Sequence, residues 1–204
     1  MRYFRFRRAA IVAGVGLMTA VGVAATTGTA YADTIIKVHY PLTGTATIAK
    51  LNTTLDLGSG TLSATVDLNT GTSSATLTMP PATASTTVLG FIPVSATTVI
   101  NQVAPATGTV TATGITSTAT VTLQITNLTV FGVSLPVGDS CMTSPFTISL
   151  ASDPGFTVSG GGPVSGMFTI PHFHHCGLNT LLLNLTIPGS GNSINLTLGA
   201  LQFG

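Results

Sequence analysis

The densest group of chemically capable side chains is Pro171-His172-Phe173-His174-His175-Cys176. Imidazoles are good ligands for zinc and copper. On an extended strand, residues two apart share a face, which puts His172, His174 and Cys176 together. His172 and His174 are a chelating i, i+2 pair, and with the neighbouring His175 they make the candidate metal set, His172, His174 and His175. Cys176 has a competing use. Cys141 and Cys176 are the only cysteines, and an even pair in an exported chain, which the N-terminus indicates, reads as a disulfide. An oxidised Cys176 offers no thiolate. The expectation is a surface loop closed by a Cys141–Cys176 bridge, with weak metal binding through the histidines as an alternative. In the chain-entropy picture, closing a loop of about 35 residues stabilises by roughly 3–4 kcal/mol.

No other constellation is complete. Gly162-Pro163-Val164-Ser165-Gly166 has the wrong spacing for a nucleophile elbow. Acid–base glycoside chemistry would have to use five aspartates, since the chain contains no Glu. The portion after residue 32 has no Arg to clamp an oxyanion or phosphate, and no Gly-rich phosphate loop carries its Lys. The chain therefore reads as a non-enzyme with no catalytic residues and no cofactor.

The N-terminus has three zones. Arg2, Arg5, Arg7 and Arg8 form a positive region, Ala9 to Ala25 is apolar, and Ala30-Tyr31-Ala32 is a small-x-small cleavage signal. That order describes a signal peptide over residues 1–32, followed by a secreted domain over 33–204. Arg7-Arg8 leaves Sec and twin-arginine export both open. The expected location is extracellular or associated with the cell envelope. Residues 33–204 keep Lys37 and Lys50 against Asp33, Asp56, Asp67, Asp139 and Asp153, a net charge of −3. Domains usually devote about a quarter of their residues to charge. So weak a field, with no basic patch, excludes nucleic acid as a partner.

The elements that position these residues are strands. Leu62, Ala64, Val66 and Leu68 alternate with Thr61, Ser63, Thr65 and Asp67. After Asn69-Thr70-Gly71 the pattern resumes with Ala75, Leu77 and Met79, so a β-hairpin is predicted. A second hairpin is the preferred reading at the C-terminus, with Leu181, Leu183, Leu185 and Ile187 on one strand and Ile194, Leu196 and Leu198 on the other; the alternative for Leu178 to Leu185 is the start of a short helix. Val121, Leu123 and Ile125 mark a longer strand. Ala46 and Ile48 are even-numbered whereas Leu51, Leu55 and Leu57 are odd, which predicts a bulge near Ala49-Lys50. Threonine, 34 of 172 residues after the leader, replaces charge as the polar partner on pleated surfaces. Asn52, Asn127, Asn184 and Asn195 begin N-x-Thr strings, at a frequency that the Asn and Thr content explains. The predicted fold is all-β: a single antiparallel β-sandwich or a strongly curved, barrel-like sheet of about ten strands.

Several strings in order carry a resemblance. They are Leu89-Gly90-Phe91-Ile92-Pro93-Val94, then Phe131 through Cys141, then Ile170-Pro171 through Cys176-Gly177, then Gly189-Ser190-Gly191-Asn192. Together they resemble secreted all-β proteins of high-GC Gram-positive bacteria with no assigned activity. The resemblance implies an exported β-protein with a disulfide and carries over no site residue.

Two functional classes follow. An interaction, adhesion or structural role in the envelope fits a chain with almost no charge to protect its strand edges; its partners would be cell-wall material or further copies of itself. A carrier would instead hold an apolar ligand, such as a lipid, in a β-lined cavity. Phe91, Ile92, Val94, Phe168, Phe173, Leu181 and Leu183 are the candidate lining.

Overall fold

The computed structural model describes residues 34–88 and 90–203. The expected targeting peptide, residues 1–32, lies outside them, as does Leu89 of the resemblance strings. In chain order the strands are β1 (Ile35–Ile48), β2 (Thr53–Asp67), β3 (Thr72–Thr78), β4 (Ala82–Val88), β5 (Ile92–Gln102), β6 (Ala106–Val110) and β7 (Ile115–Val130). There follow β8 (Val133–Leu135), β9 (Met142–Thr143), β10 (Phe146–Ser152), β11 (Gly162–Ile170), β12 (Phe173–His174), β13 (Gly189–Leu198) and β14 (Gln202–Phe203). One short helix, α1 (Thr180–Thr186), interrupts them.

Eight of these strands close an antiparallel barrel in the order β1-β2-β3-β6-β7-β10-β11-β13 and back to β1. Closure satisfies main-chain groups that a flat sheet would leave on its edges. The eight ring strands therefore need no edge charges, in keeping with the seven charged residues of positions 33–204. Inward positions follow the expected alternation: Val38, Tyr40 and Leu42 on β1, Val164, Phe168 and Ile170 on β11, Ile194, Leu196 and Leu198 on β13, all buried.

The β2–β3 hairpin forms as predicted, with Leu62 opposite Leu77 and Ala64 opposite Ala75. Asp67 organises its turn, accepting from the Asn69 N–H and the Thr70 hydroxyl, both at 2.8 Å. Two other expectations are corrected. The parity change near Ala49-Lys50 is a 3-10 turn, Ala49–Leu51, that reverses the chain between β1 and β2. The bulge lies further on, at Leu57-Gly58: Gly44 pairs with Gly58, but Thr45 pairs with Asp56, leaving Leu57 extra. Gly58 takes φ +72° there, where a side chain would be strained. This extra residue switches the inward set of β2 from Leu55 and Leu57 to Leu62, Ala64 and Val66.

The second correction concerns Leu181 to Ile187, which forms α1 and not a hairpin strand. Strand β13 pairs with β1 and β11 instead. Seven residues are too few to hold a helix by propensity, so its anchors are tertiary. Leu183 is buried. The Asn184 amide accepts from the Phe173 N–H at 2.7 Å and donates to the Phe173 carbonyl at 2.9 Å, replacing the partner strand that Phe173 would otherwise need. Asn184 is thereby committed inside the fold.

The barrel has two distinct ends. The turns β2–β3, β6–β7 and β10–β11 lie at one, the turn end. The turns β1–β2, β4–β5 and β7–β8 and the segment 171–188 lie at the other, the disulfide end.

Candidate functional site

Pairing along β7 decides the shape of the interior. Its first half, Ile115 to Thr118, pairs with β6; its second half, Val121 to Val130, pairs with β5 on that same side. Strand β4 continues outward from β5. Among the described residues no main-chain ladder joins β4 to β2; the Thr53 and Thr86 hydroxyls meet across that seam at 2.8 Å. Where β3 outruns β6, the Gln102 side chain takes the place of a strand. Its carbonyl accepts from the Leu77 N–H at 2.8 Å and its amide donates to the Ala75 carbonyl at 2.9 Å.

The interior is not filled. A cavity of about 120 Å³ occupies the half nearer the turn end, and one of about 80 Å³ lies in the half nearer the disulfide end. Small inward side chains make the first: Ala64, Ala75, Ala106 and Ala119 sit where bulkier residues would meet across the barrel. Ile36, Leu62 and Leu77 face inward yet are only half-buried, because they border space instead of another side chain. Phe156, Val158 and Leu201 line the same cavity from the β10–β11 connection and the C-terminal segment.

Among the described residues no charged side chain lines either cavity. The main polar groups of the first are already engaged. The Tyr40 hydroxyl donates to the Val158 carbonyl at 2.7 Å, and burial holds its phenol above the ordinary tyrosine value. Gln102 is occupied with β3. The second wall has a single polar side chain, Thr98, among aliphatic and aromatic residues. Such a lining takes hydrocarbon.

Of the seven residues predicted to line a cavity, Phe168 and Phe173 do, both in the second one. Leu183 is the buried residue of α1, while Leu181 on the same helix is 70% exposed. Phe91 is 68% exposed at the β4–β5 turn, and Ile92 and Val94 are half-buried on β5. The residues missed, such as Ile36, Leu62, Ala64, Leu77 and Ile100, carry a period-two signal, but nothing in that signal says whether the space inside is filled.

The bridge between Cys141 and Cys176 is formed and fully buried. Beside it β9 pairs with β12, Phe173 opposite Thr143. The Thr143 hydroxyl accepts from the Leu123 N–H at 3.0 Å, and Cys141 O accepts from the Ile125 N–H at 2.9 Å. The histidines lie outside this clasp. His172, His174 and His175 are exposed, and His174 Nε2 meets Ser144 Oγ at 3.1 Å. The His174 and His175 ring centroids are 6.4 Å apart and tilted; His175 has φ +60°, which turns it out of the strand alternation. Among the described residues no three His, Cys, Asp or Glu side chains gather as a metal set, and Cys176 is oxidised. The candidate metal set is thus not brought together.

No family profile matches the chain, and neither a curated protein nor a solved structure does.

Proposed function

We propose that this protein is an exported, non-enzymatic carrier of a small apolar ligand held inside its barrel. The supporting observation is the cavity of about 120 Å³ with no charged group on its wall. An eight-stranded barrel is the size at which side chains just fill the interior or one small ligand fits. Four inward alanines favour the second outcome here. A buried disulfide agrees with an extracellular location, and the leader read from residues 1–32 provides the route. The test is solvent extraction of protein purified from its native secretion host, with mass spectrometry of the extract. A stoichiometric apolar compound is the expected result. An empty extract, together with no uptake of a fluorescent apolar probe, would sink the carrier reading.

A second reading keeps the envelope role, on a different observation. Phe91, Phe131, Val133, Leu178, Leu181 and Leu185 are all exposed, and their elements converge on the disulfide end. Large apolar side chains gathered on a surface mark association sites. Sedimentation of the purified protein and its retention on cell-wall material test this reading; a monomer that the wall does not retain removes it.

A further inference from the structure

Resting on the carrier reading, we infer that the ligand is an unbranched hydrocarbon chain whose length Ile100 limits. The two cavities are stacked along the barrel and are lined by successive inward positions of its strands. On β1, Leu42 faces the first cavity and Ala46 the second; on β7, Val121 and Leu123 divide in the same way; on β13, Leu196 and Ile194 do. Among the described residues Ile100 alone lines both.

Its position explains this. Ile100 lies on β5 opposite Leu123, one inward step before Gln102, where the wall passes from β5 to the β3–β6 pair. It is only half-buried, so its two faces border space on either side. The rest of the partition is firmer. Leu196 leans into the position that a side chain on Gly44 would need, with its Cδ2 2.5 Å from the place of the missing Cβ. Leu150 does the same at Gly166, at 3.0 Å. Each of those leucines is seated over the bare backbone of the glycine it pairs with; Ile100 pairs with Leu123 and has no such seat.

The chemistry sets the ligand class. Tyr40 and Gln102 have their hydrogen bonds already, and among the described residues no cation lies within either wall to hold a carboxylate or phosphate. A narrow, stacked, charge-free space takes a chain and excludes an ionised headgroup. In the native protein the chain fills the first cavity and stops at Ile100. Cutting Ile100 back joins the two cavities and admits a longer chain.

The experiment uses the mature protein and a homologous series of n-alkanols, from butanol to hexadecanol, displacing a fluorescent apolar probe. Wild-type affinity should rise by about four-fold per methylene and then stop rising. In Ile100→Ala the cut-off should move to longer chains, and each newly admitted methylene should again add about four-fold. Leu77→Ala, which widens the first cavity alone, should leave the cut-off in place. If Ile100→Ala does not fold, Ile100→Val provides the graded version, with a smaller move in the same direction. Wild-type binding with a cut-off that neither Ile100 variant moves overturns the inference and leaves the carrier reading standing. A cut-off that Leu77→Ala moves equally also overturns it. Absence of binding by the wild type overturns both.

Discussion

The two halves of the barrel solve closure differently. Towards the turn end, eight strands form an unbroken ring of main-chain ladders. Towards the disulfide end, β7 leaves β6 for β5, β4 meets β2 across a seam without a ladder, and the gap beside β10 is patched by β9, β12 and α1. Inward alanines line both halves, Ala64, Ala75, Ala106 and Ala119 in the ring and Ala46, Ala82, Ala84 and Ala96 in the patched half; the ring half encloses the larger cavity, and backbone pairing holds its shape. The patched half depends on particular side chains: a disulfide, Phe173 under α1, Asn184 standing in for a strand. Asn192 is a further example. Fully buried, it accepts from the Ala49 N–H at 3.0 Å and donates to the carbonyls of Gly189 and Phe168 at 2.7 and 3.3 Å, tying the β1–β2 turn to the irregular start of β13. Where the ladder is whole, packing is relaxed; where it is broken, side chains carry the load.

The contrast can be broken most severely at Phe173. Its ring is 1% exposed, and Phe173→Ala should cost about 3–5 kcal/mol in urea unfolding. Hydrogen exchange should accelerate at Ile125 and around α1 before it does in β2 and β3; uniform acceleration would mean that the halves are not separate in stability. Replacing both cysteines by alanine should cost about 3–4 kcal/mol and loosen the same amides. If thermal melting of that variant were unchanged, the clasp would not hold the patched half.

Smaller effects are expected on the ring side. Tyr40→Phe leaves the Val158 carbonyl without its donor, a loss of about 1–3 kcal/mol. It also has a pH signature. Burial raises the Tyr40 phenol in the folded state, so its contribution is intact below the ordinary tyrosine value and is lost as pH rises through the folded one. Tyr40 is the only tyrosine after residue 32, which lets phenolate absorbance of a chain beginning at Asp33 follow it directly. Stability of the wild type should fall in alkali by more than that of Tyr40→Phe, and equal slopes would contradict the shift. The smallest effect should come from Ala119→Leu, which points into the first cavity. Overpacking a filled core costs about 1–3 kcal/mol; here the change should be neutral or stabilise by up to about 1 kcal/mol. It should also weaken binding of any apolar probe.

Much of the ring half was legible in the sequence, because its signals are local. The β2–β3 hairpin has a turn motif between two alternating runs, and Ile194, Leu196 and Leu198 alternate without interruption. The disulfide was legible because the chain has only two cysteines. The patched half was less legible, since its structure rests on distant partners. Leu181, Leu183, Leu185 and Ile187 alternate as a strand would, but Asn184 reaching Phe173 and Leu183 entering the core select a helix. Parity alone does not separate the reversal at Ala49–Leu51 from the bulge at Leu57-Gly58, because both shift it; Gly58 after Leu57 is the local clue to the bulge. The cavity was hidden for a different reason. An inward alanine reads as core, and whether its neighbours meet across the barrel depends on eight strands arriving in register.

The pairing of β1 with β13 also has a consequence for the order of assembly. A chain made from its N-terminus presents β1 first and the strand that closes on it almost last, about 150 residues later, as Leu42 opposite Leu198 shows. Contacts so distant in sequence make folding slow and leave unpaired strands exposed while it is under way. Cys176 emerges before β13, so the disulfide has the chance to form around an incomplete barrel. The clasp would then shorten the loop that remains to be closed, and the final strand would enter a gap between β1 and β11 whose walls are already held.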